Sequence, residues 1–365
     1  MDNAIFSLDP NYSTTRLVST ILPQIEDNPE AKFQTRLFLP EGEARQGEGG
    51  LRTKGYYKHS YEVIDGEWFI TDNFGVREED TQRIPVDQEQ VPENLLENVQ
   101  KELRQADETD AEASEQDCSG GHIKLPLISV ITVVFNGEKY LNETINSVLN
   151  QGYPNVEYII VDGCSTDNTL DIVKSYEDQI DYWVSEKDSG IYDALNKGII
   201  CSIGDMIGIL NADDFYYNQC LSYVSKYSIN YPYKNFIFGT VLKRRLISRF
   251  KPWKIIYSFC FYTSHSVGFF ILKVSQKKIG LYNLKYSCSA DYDFFYRMIV
   301  QEKMKGIKTK KSEIFGYFRL NGFSSKVPYF EHLVEQTQIR LDNKQNRLLV
   351  LSIFILRYVK NIKKI

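Results

Sequence analysis

Acidic and amide side chains follow four apolar segments of this chain, each close to the point where the segment ends. The segments are Leu127–Phe135, Val156–Val161, Ile180–Val184 and Met206–Leu210, and the polar residues after them are Asn136, Asp162, Glu186, Asp188, Asn211, Asp213 and Asp214. The segments are short, rich in β-branched residues and largely unalternating, which predicts buried parallel strands. Because ligands of an open parallel sheet lie beyond the carboxyl ends of its strands, the carboxylates are expected to converge there, in a layout typical of nucleotide binding.

Segments with helical spacing separate these predicted strands. Helices are predicted at Tyr140–Gln151, after a cap at Asp167, and at Gly190–Cys201. The alternation of strands and helices predicts an α/β fold, in which helices flank a mixed, mostly parallel sheet.

The charge of the chain is divided unevenly along its length. The 365 residues carry a net charge of -5 and are 42% hydrophobic, enough for one large core and a smaller unit. Asp87–Asp117 has eleven acidic residues, whereas Phe215–Ala290 has none and has twelve Lys or Arg residues. The second stretch indicates a face turned towards an anionic partner, such as lipid headgroups or nucleotide phosphates, or else an ordinary basic surface.

The cysteines and the apolar segments indicate where in the cell the protein is expected to be. The six cysteines lie far apart without a Cys-x-x-Cys pair, which favours a reducing compartment. Met1–Pro10 lacks the basic and apolar regions of a signal peptide, so none is expected. Leu348–Leu356 is about half the length of a membrane span and is followed by basic residues, which predicts at most a monotopic contact. A pI near 5.6 and the lack of a recognition motif argue against nucleic-acid binding.

The first 124 residues are predicted to form two units. Residues 1–85 are expected to be a small appendage containing β-structure, with strands at Phe33–Leu39 and Tyr61–Asp72 and a Gly/Glu loop at Gly42–Gly50. Residues 86–124 are expected to be an acidic flexible linker, with a helix at Pro92–Arg104.

The phosphate-binding loops of other nucleotide folds are missing from the sequence. A dinucleotide fold would need Gly-x-Gly-x-x-Gly after its first strand, and a P-loop would need Gly-x-x-x-x-Gly-Lys-Ser/Thr. The chain has Val133-Val134-Phe135-Asn136-Gly137 at that place. A metal ion is therefore expected to hold the phosphates.

An ordered set of motifs resembles the family 2 glycosyltransferases of the GT-A fold, and most closely their branch that builds O-antigen and other surface polysaccharides. The motifs are Ser129–Asn136, Val161–Asp167, Glu186–Gly198, Asn211–Asp214, Ser264-His265 with Phe269-Phe270, Ala290–Asp293, and Phe318–Leu320 with Gly322 and Ser324. The resemblance covers Leu127–Ser325 and implies a glycosyltransferase domain at 125–330. Its nucleotide-sugar half would be 125–214 and its acceptor half 215–330, followed by a helical, basic tail at 331–365.

The resemblance also implies which residues bind the donor. Val133, Phe135, Asn136 and Asp162 would hold the base, with Asp162 accepting a hydrogen bond from a ring N–H. An aspartate after a strand is otherwise commonly a helix cap or turn residue.

Three more residues are implied on the donor side: Asp188, Asn196 and Lys197. Asp188 would be a further nucleotide contact. Asn196 and Lys197 lie on the helix that follows, where Lys197 would approach the diphosphate or be a solvated lysine on the helix surface.

A metal site is implied at the end of the fourth strand. Mg²⁺ or Mn²⁺ is typically held by one or two carboxylates together with phosphate oxygens. The family pattern often reads Asp-x-Asp-Asp, but here Asn211 stands first. Asn211 can still bond a ribose hydroxyl of the donor but adds no charge, so metal binding would rest on Asp213. Asp214 would be a second ligand or a structural acid, and a capping or salt-bridged role for the pair is the alternative.

The acceptor half is implied to supply a base. Asp291 would take the proton of the attacking hydroxyl. Asp293 could be an accessory acid, or could orient a neighbour such as Arg297. His265 could assist the metal or diphosphate, or be a packed histidine. Two departures from the family are Ser266, where glutamine is usual, and Cys164, where glycine is usual.

The sequence thus predicts a metal-dependent, inverting hexosyltransferase. It would move one sugar from a nucleoside diphosphate sugar to a hydroxyl of a lipid-linked or growing saccharide. Lys243–Phe261 and the Leu348–Ile365 tail would contact the membrane, which would make the protein cytoplasmic and peripheral at the inner face. A nucleotidyltransferase, which would need a basic Gly-rich opening, and a sugar-nucleotide-binding or scaffold protein without turnover are the alternatives.

Overall fold

A computed structural model describes residues 47–52, 58–71, 82–100, 122–258, 261–320 and 327–362. Within these ranges an eight-stranded sheet forms the centre of the molecule, in the order β1-β8-β7-β6-β9-β14-β11-β15. Its strands are β1 Gly47–Arg52, β6 Ile128–Val134, β7 Val156–Asp162, β8 Tyr182–Glu186, β9 Met206–Ile209, β11 Phe236–Phe238, β14 Phe269–Leu272 and β15 Gly306–Lys308. The mixed, mostly parallel sheet flanked by helices is the predicted fold.

The parallel part of this sheet contains the four predicted strands. β6 pairs in parallel with β7 and β9, and β7 pairs in parallel with β8. Because the side chains of a strand alternate between its two faces, β6 serves two cores. Ile128 and Val130 belong to one core, and Ile131 and Val133 belong to the other.

The crossover helices lie near their predicted positions. They are α2 Leu141–Leu149, α3 Thr169–Ser175 and α4 Ile191–Cys201, in which α2 and α3 contribute to one core and α4 to the other. The prediction of Asp167 as the cap of α3 was one residue off, because Asn168 occupies the cap position. Asp167 instead accepts a hydrogen bond from the N–H of Thr169 at 3.0 Å.

A second sheet and several helices complete the acceptor half. β10 Phe215–Tyr216, β16 Ile314–Tyr317, β12 Thr240–Leu242 and β13 Leu246–Ile247 lie side by side in that order. The helices are α5 Cys220–Asn230, α6 Lys273–Ile279 and α7 Ala290–Tyr296, together with a 3₁₀ helix at Pro252–Ile256 and a π-helical turn at Arg297–Gln301. The helical C-terminus consists of α8 Tyr329–Asp342 and α9 Arg347–Lys360.

The described residues between β1 and β6 form a small sheet and a helix that share a hydrophobic core with β6. β2 Ser60–Ile64, β3 Glu67–Thr71, β4 Arg83–Val86 and β5 Ile123–Leu125 form a small antiparallel sheet in the order β4-β3-β2-β5. Residues 93–100 form a helix, α1, in which Leu95 and Val99 are buried in a core shared with β6. Parts of the predicted linker, residues 93–100 and β5, are therefore packed, because their apolar side chains are buried although the linker as a whole is acidic.

The expected Gly/Glu loop was wrong where it can be compared. Gly47–Gly50 belongs to β1, which pairs antiparallel with β8 at the edge of the main sheet. Gly49 has φ +77°, and a Cβ there would lie 2.6 Å from the Trp183 ring, so this contact requires glycine. The predicted strand Phe33–Leu39 and the rest of the predicted linker, 101–121, lie outside the described residues, and the unit boundaries stay a prediction.

Candidate active site

The carboxyl ends of β6, β7, β8 and β9 bring the predicted donor residues to one edge of the sheet. Gly163 N–H donates to the carbonyl of Val134 at 2.9 Å, which joins the turns that follow β6 and β7. Asn136 has φ +51°, and its Oδ1 accepts from the N–H of Thr166 at 2.8 Å. Phe135 is exposed, whereas Val133 is packed in the core. The predicted base-contacting residues are thus in one place, and their contact with a base stays a prediction.

The Asp162 carboxylate is buried and surrounded by hydroxyl donors. The hydroxyls of Ser185 and Ser165 both donate to it, Ser185 at 2.6 Å, and the Ser165 N–H donates at 3.1 Å. Cys164 lies in this turn with φ +62°, a conformation that glycine adopts more easily, which gives a physical reason for glycine being usual there. The cysteine tolerates the strain and is exposed.

Asp188 reaches the same turn from the next strand. A Cβ on Gly163 would lie 2.5 Å from Asp188 Oδ2, so glycine is needed for this close approach. Asp188 also accepts from the N–H of Gly190 at 2.8 Å. Desolvation raises its pKa, and the nearby carboxylates of Asp193 and Asp162 act in the same direction. A hydrogen-bond donor or cation from a ligand would offset this repulsion.

Lys197 and Asn196 are both buried on α4, so the alternative of a solvated surface lysine was wrong. Lys197 Nζ lies 3.0 Å from Glu186 Oε1 and donates to the carbonyl of Lys187 at 2.9 Å. Asn196 uses both ends of its amide on the backbone of Tyr282, at 2.9 and 2.8 Å. These contacts hold the residues around the site in position, and direct donor contacts by either side chain stay a prediction.

Asp214 is tied to the protein backbone at the end of β9. Its carboxylate accepts from the hydroxyl of Ser266 at 2.7 Å and from the N–H of Arg319 at 2.8 Å. Ser266 also accepts from the N–H of Asn211 at 2.9 Å, so the residue that departs from the family has a defined structural task here. Burial, and then the charge of Asp213, raise the pKa of Asp214 to about 7. These contacts agree with the alternative of a structural acid, and a role of Asp214 as a second metal ligand stays a prediction.

Asp213 is the member of this pair that is available to a ligand. It is partly exposed, and no other described residue donates a hydrogen bond to its carboxylate. Desolvation raises its pKa, while the Arg319 guanidinium lowers it. That guanidinium donates to the carbonyl of Asp213 and lies 4.2 Å from the centroid of the Tyr140 ring.

A divalent ion fits this arrangement only if the protein and the substrate both supply its ligands. Among the described residues no group of three or more His, Cys, Asp or Glu side chains could form a metal cage. Asp213 offers one carboxylate, and Mg²⁺ and Mn²⁺ commonly complete their coordination with water and substrate phosphates. A metal held here would depend on the diphosphate as well as on the protein.

Asp291 lies at the start of α7 in an apolar, aromatic setting. Its Oδ2 accepts from the hydroxyl of Tyr262 at 3.1 Å, and its Oδ1 accepts from the hydroxyl of Tyr192 at 3.3 Å and from the N–H of Tyr292 at 2.9 Å. Desolvation raises the pKa of Asp291 to about 6, although all three donors oppose the rise. A carboxylate with this pKa is mainly ionised at neutral pH and is basic enough to take a proton.

Asp293 is used differently from Asp291. It is buried, forms an ion pair with Arg297 Nε at 2.9 Å and accepts from Asn343 Nδ2 at 2.8 Å. Arg297 in turn donates to the carbonyls of Ile279 and Leu281. This geometry agrees with the orienting alternative for Asp293, and an accessory role in chemistry stays a prediction.

His265 lies among aromatic side chains. Its Nε2 is 2.6 Å from the hydroxyl of Tyr282, and its ring packs near Phe269 and Phe295. Burial lowers its pKa to about 3, so the imidazole is neutral. These contacts favour the packed histidine over a charged group that stabilises a diphosphate.

Several residues that contact the key carboxylates could not be selected from the sequence. Tyr192, Tyr262 and Ser185 contact the key carboxylates, but tyrosine and serine are too common in folded chains to be selected without a structure. Arg319 stood in a recognised motif without an assigned role. Its contact with Asp213 became visible only when β16 was placed beside β10.

Comparison with known proteins gives a consistent family. Residues 129–288 match the family model described as Glycosyl transferase family 2. A stretch of 92 residues is 42% identical to the putative teichuronic acid biosynthesis glycosyltransferase TuaG of Bacillus subtilis (strain 168), covering 24% of this chain and 36% of that protein. Another match, to the uncharacterized glycosyltransferase RT0329 of Rickettsia typhi, is 44% identical and covers 25% of this chain and 29% of that protein. The chain thus spans about a third of the length of these relatives.

The fold is also shared with a solved structure. The crystal structure of S. aureus TarS 1-349 in complex with UDP-GlcNAc matches with a TM-score of 0.51 at 17% identity, covering 64% of this chain and 73% of that chain. At this identity the match speaks for the fold alone. Residues 129–288 thus match the family 2 glycosyltransferase model, and the described part of the chain has a GT-A-like fold.

Proposed function

We propose that this protein is an inverting glycosyltransferase that moves a hexose from a nucleoside diphosphate sugar to a hydroxyl of a lipid-linked or growing saccharide. The observation that carries the proposal is the state of Asp291, which is a partly buried carboxylate with a pKa of about 6, held by two phenol hydroxyls. The rest of the stretch 215–290 has no acid at all, so Asp291 enters a half of the domain that offers few other bases.

The proposed reaction needs one base and one leaving-group site. Asp291 takes the proton of the acceptor hydroxyl as its oxygen bonds to the anomeric carbon. The bond from that carbon to the diphosphate breaks on the opposite side, so the configuration inverts and the electron pair leaves with the nucleoside diphosphate.

The donor is proposed to bind across the ends of β6 to β9. Asn136, Asp162 and Asp188 would contact the nucleoside there, and Asp213 would hold Mn²⁺ or Mg²⁺ against the diphosphate. When bound, the metal would stabilise the negative charge that develops on the leaving group. Asp213 would fix its position, and Asp214 would keep the loop of Asp213 in place through Ser266 and Arg319.

Surface polysaccharide biosynthesis is the proposed setting. TuaG is described as a putative teichuronic acid biosynthesis glycosyltransferase, and it shares 42% identity with this chain over 92 residues. This likeness covers 24% of the chain, so it supports the pathway class and leaves the acceptor to experiment.

A membrane contact through α9 is proposed as well. Among the described residues, no helix combines the length and apolar character needed to cross a bilayer. The apolar residues on the outer side of α9 recur at helical spacing and are between 51% and 76% exposed: Leu348, Leu351, Ile355, Leu356 and Val359. Residues 347–360 include basic but no acidic side chains. An amphipathic helix of this kind suits the surface of an anionic bilayer at the inner face of the cell membrane.

An adjacent element extends this apolar surface. Trp253, in the 3₁₀ helix, is 63% exposed, and Lys254 Nζ lies 5.3 Å from the centroid of its ring. Arg357 of α9 donates to the carbonyl of Tyr257 at 3.2 Å, which ties the two elements together. Tryptophan beside basic residues is typical of membrane interfaces.

The catalytic proposal is tested by nucleoside diphosphate release. The purified protein is incubated with UDP-, GDP- and dTDP-sugars, including UDP-GlcNAc, with and without Mn²⁺ and with membrane extract as acceptor. Release from one donor that requires the metal and is lost in Asp213→Ala and Asp291→Asn supports the proposal. Donor binding without turnover by the wild type would favour a sugar-nucleotide-binding protein.

The membrane proposal is tested by vesicle sedimentation. We expect binding to vesicles that contain phosphatidylglycerol, weaker binding to phosphatidylcholine vesicles, and loss of binding in a Leu351→Glu, Leu356→Glu double variant. Leu284→Glu is the matched control, because Leu284 is 51% exposed and lies outside α9 and the 3₁₀ helix. Equal binding by the double variant and the control would rule out the α9 surface.

A further inference from the structure

Two tyrosine hydroxyls from separate parts of the chain meet on the Asp291 carboxylate. Tyr192 belongs to α4 in the nucleotide half, and Tyr262 belongs to the segment before β14 in the acceptor half. They donate to different oxygens, Tyr192 to Oδ1 at 3.3 Å and Tyr262 to Oδ2 at 3.1 Å. The N–H of Tyr292 donates to Oδ1 as well, so both oxygens are engaged.

We propose that Tyr192 and Tyr262 are positioning residues that fix the orientation and the proton affinity of Asp291. The inference rests on the proposed function, in which Asp291 is the base. It adds a requirement for hydroxyl groups at two positions to which the sequence assigned no role.

Both rings are held rigidly enough for this task. The Tyr262 ring lies 4.5 Å from the Phe261 ring and 4.6 Å from the Phe295 ring, measured between centroids. The Tyr192 ring lies 5.7 Å from that of Tyr282. The backbone of Tyr282 is held in turn by two hydrogen bonds to Asn196. Because these rings are packed, the two hydroxyls define one orientation of the carboxylate.

The pair also joins the two halves of the domain. α4 begins after β8, next to Asp188, and α7 carries Asp291. The hydroxyl of Tyr192 donates a hydrogen bond directly from α4, on the donor side, to Asp291. Donor site and base are therefore held in register by a side-chain contact as well as by the sheet.

The two hydroxyls act on the charge of Asp291 in a known direction. A hydrogen bond donated to a carboxylate favours the ionised form, so each phenol lowers the pKa of Asp291 against the desolvation that raises it. Both phenols remain protonated, because burial and the Asp291 charge raise their own pKa well above the usual value. The titratable groups around Asp291 are Tyr192 of α4, Tyr262, Tyr282 and Cys288 of the loops, and His332 of α8.

The experiment measures the pKa of Asp291 without requiring turnover. Full-length protein labelled with ¹³C at the aspartate carboxyl carbon is titrated by NMR, and the Asp291 signal is assigned from its absence in Asp291→Asn. Tyr262→Phe and Tyr192→Phe are each expected to raise the Asp291 pKa by about one unit, and the double variant by more. An Asp291 pKa that stays unchanged in both single variants overturns the proposal.

Tyr292→Phe is the matched control. It also removes a buried phenol hydroxyl, from the residue that follows Asp291, but that hydroxyl donates to the carbonyl of Ile255 at 2.7 Å instead of to the carboxylate. We expect the Asp291 pKa to stay at its wild-type value in this variant. An equal rise in Tyr292→Phe would show that loosened packing, and not the hydroxyl contact, moves the pKa, and would contradict the proposal.

A second readout connects the contact to turnover. If the protein releases nucleoside diphosphate, the acidic limb of kcat against pH should move upwards in Tyr262→Phe and Tyr192→Phe, in step with the NMR values. Limbs that do not move while the pKa does would overturn the link to the base. Absence of turnover in the wild type would refute the proposed function, while the NMR titration would still report on the two tyrosines.

Discussion

The acidic pair at the end of β9 and the acidic pair at the start of α7 divide their tasks in the same way. In the first pair Asp214 is bonded to Ser266 and to the backbone of Arg319, while Asp213 has no donor from another described residue. In the second pair Asp293 is bonded to Arg297 and Asn343, while Asp291 meets the two tyrosine hydroxyls. One acid of each pair is fixed by hydrogen bonds or an ion pair to other residues, and the other is the acid proposed to act at the site.

The two site-facing acids differ in the chemistry that their surroundings favour. Asp213 is partly exposed beside a cation, which keeps its carboxylate available to a metal ion. Asp291 is desolvated among aromatic rings and has a pKa of about 6, which suits a group that takes up a proton. The difference teaches that local solvation and donors, more than position in a motif, would separate the proposed metal ligand from the proposed base.

The largest expected effect is on the base. Asp291→Asn should lower kcat by about 10²- to 10⁴-fold with little change in the KM for the donor, because the amide cannot take the proton. Steady-state release of nucleoside diphosphate at saturating acceptor measures both constants. A kcat within a factor of two or so of wild type would break the assignment of Asp291.

The next effect concerns the metal ligand. Asp213→Asn should lower activity by about 100-fold and weaken the response to Mn²⁺, since it removes a charge that would hold the ion against the leaving group. A Mn²⁺ titration of activity provides the measurement, with Asp171→Asn, an acid on α3, as the control. An unaltered Mn²⁺ response in Asp213→Asn would contradict the role of this residue.

The structural acid of α7 should affect folding more than chemistry. Asp293→Ala is expected to lower the free energy of unfolding by about 3 kcal/mol, because Arg297 would lose its partner in a largely buried place. Urea denaturation of Asp293→Ala and Asp293→Asn gives the comparison, in which the amide keeps the bond geometry and should cost less. A loss of activity without any loss of stability would move Asp293 into the chemistry.

The smallest effect is expected at Asp214. Asp214→Ala should cost about 1 to 3 kcal/mol, because the buried hydroxyl of Ser266 and the N–H of Arg319 would lose their acceptor, whereas Asp214→Asn should be close to neutral. The pKa of Asp214 is raised to about 7 in the folded protein, so the folded state binds the extra proton. This contribution to stability is therefore present at low pH and is lost as pH rises towards 7.

The pH dependence of the unfolding free energy should distinguish Asp214→Asn from the wild type. Unfolding free energies measured from about pH 4, near the ordinary pKa of aspartate, to about pH 8 should fall for the wild type until about pH 7 and stay flatter for Asp214→Asn. Identical slopes would show that Asp214 does not carry the proton.

The sequence was enough for the parallel part of the sheet and for the choice of acids. The segments that became β6 to β9 are continuous and β-branched, and the parallel order made their ends converge. The edge strand β1 was missed because its glycines have low strand propensity, and only pairing with β8 makes them a strand.

The division within each acidic pair could not be read from the sequence. Neighbouring aspartates look alike until the partners arrive from distant segments, such as Ser266 and Arg319 for Asp214 or Asn343 for Asp293. The burial of Lys197 was missed because its ion pair with Glu186 forms only when α4 packs beside the end of β8. Long-range contacts of this kind decide solvation, and solvation decides the pKa.

The most direct test of the account compares Asp291→Asn with Asp293→Asn in one assay. Both variants replace a carboxylate by an amide on the same helix, and each is first confirmed to be folded by its thermal unfolding. The account predicts that nucleoside diphosphate release is lost in Asp291→Asn and largely kept in Asp293→Asn. The reverse result, or equal loss in two folded variants, would contradict the claim that Asp291 alone is the base.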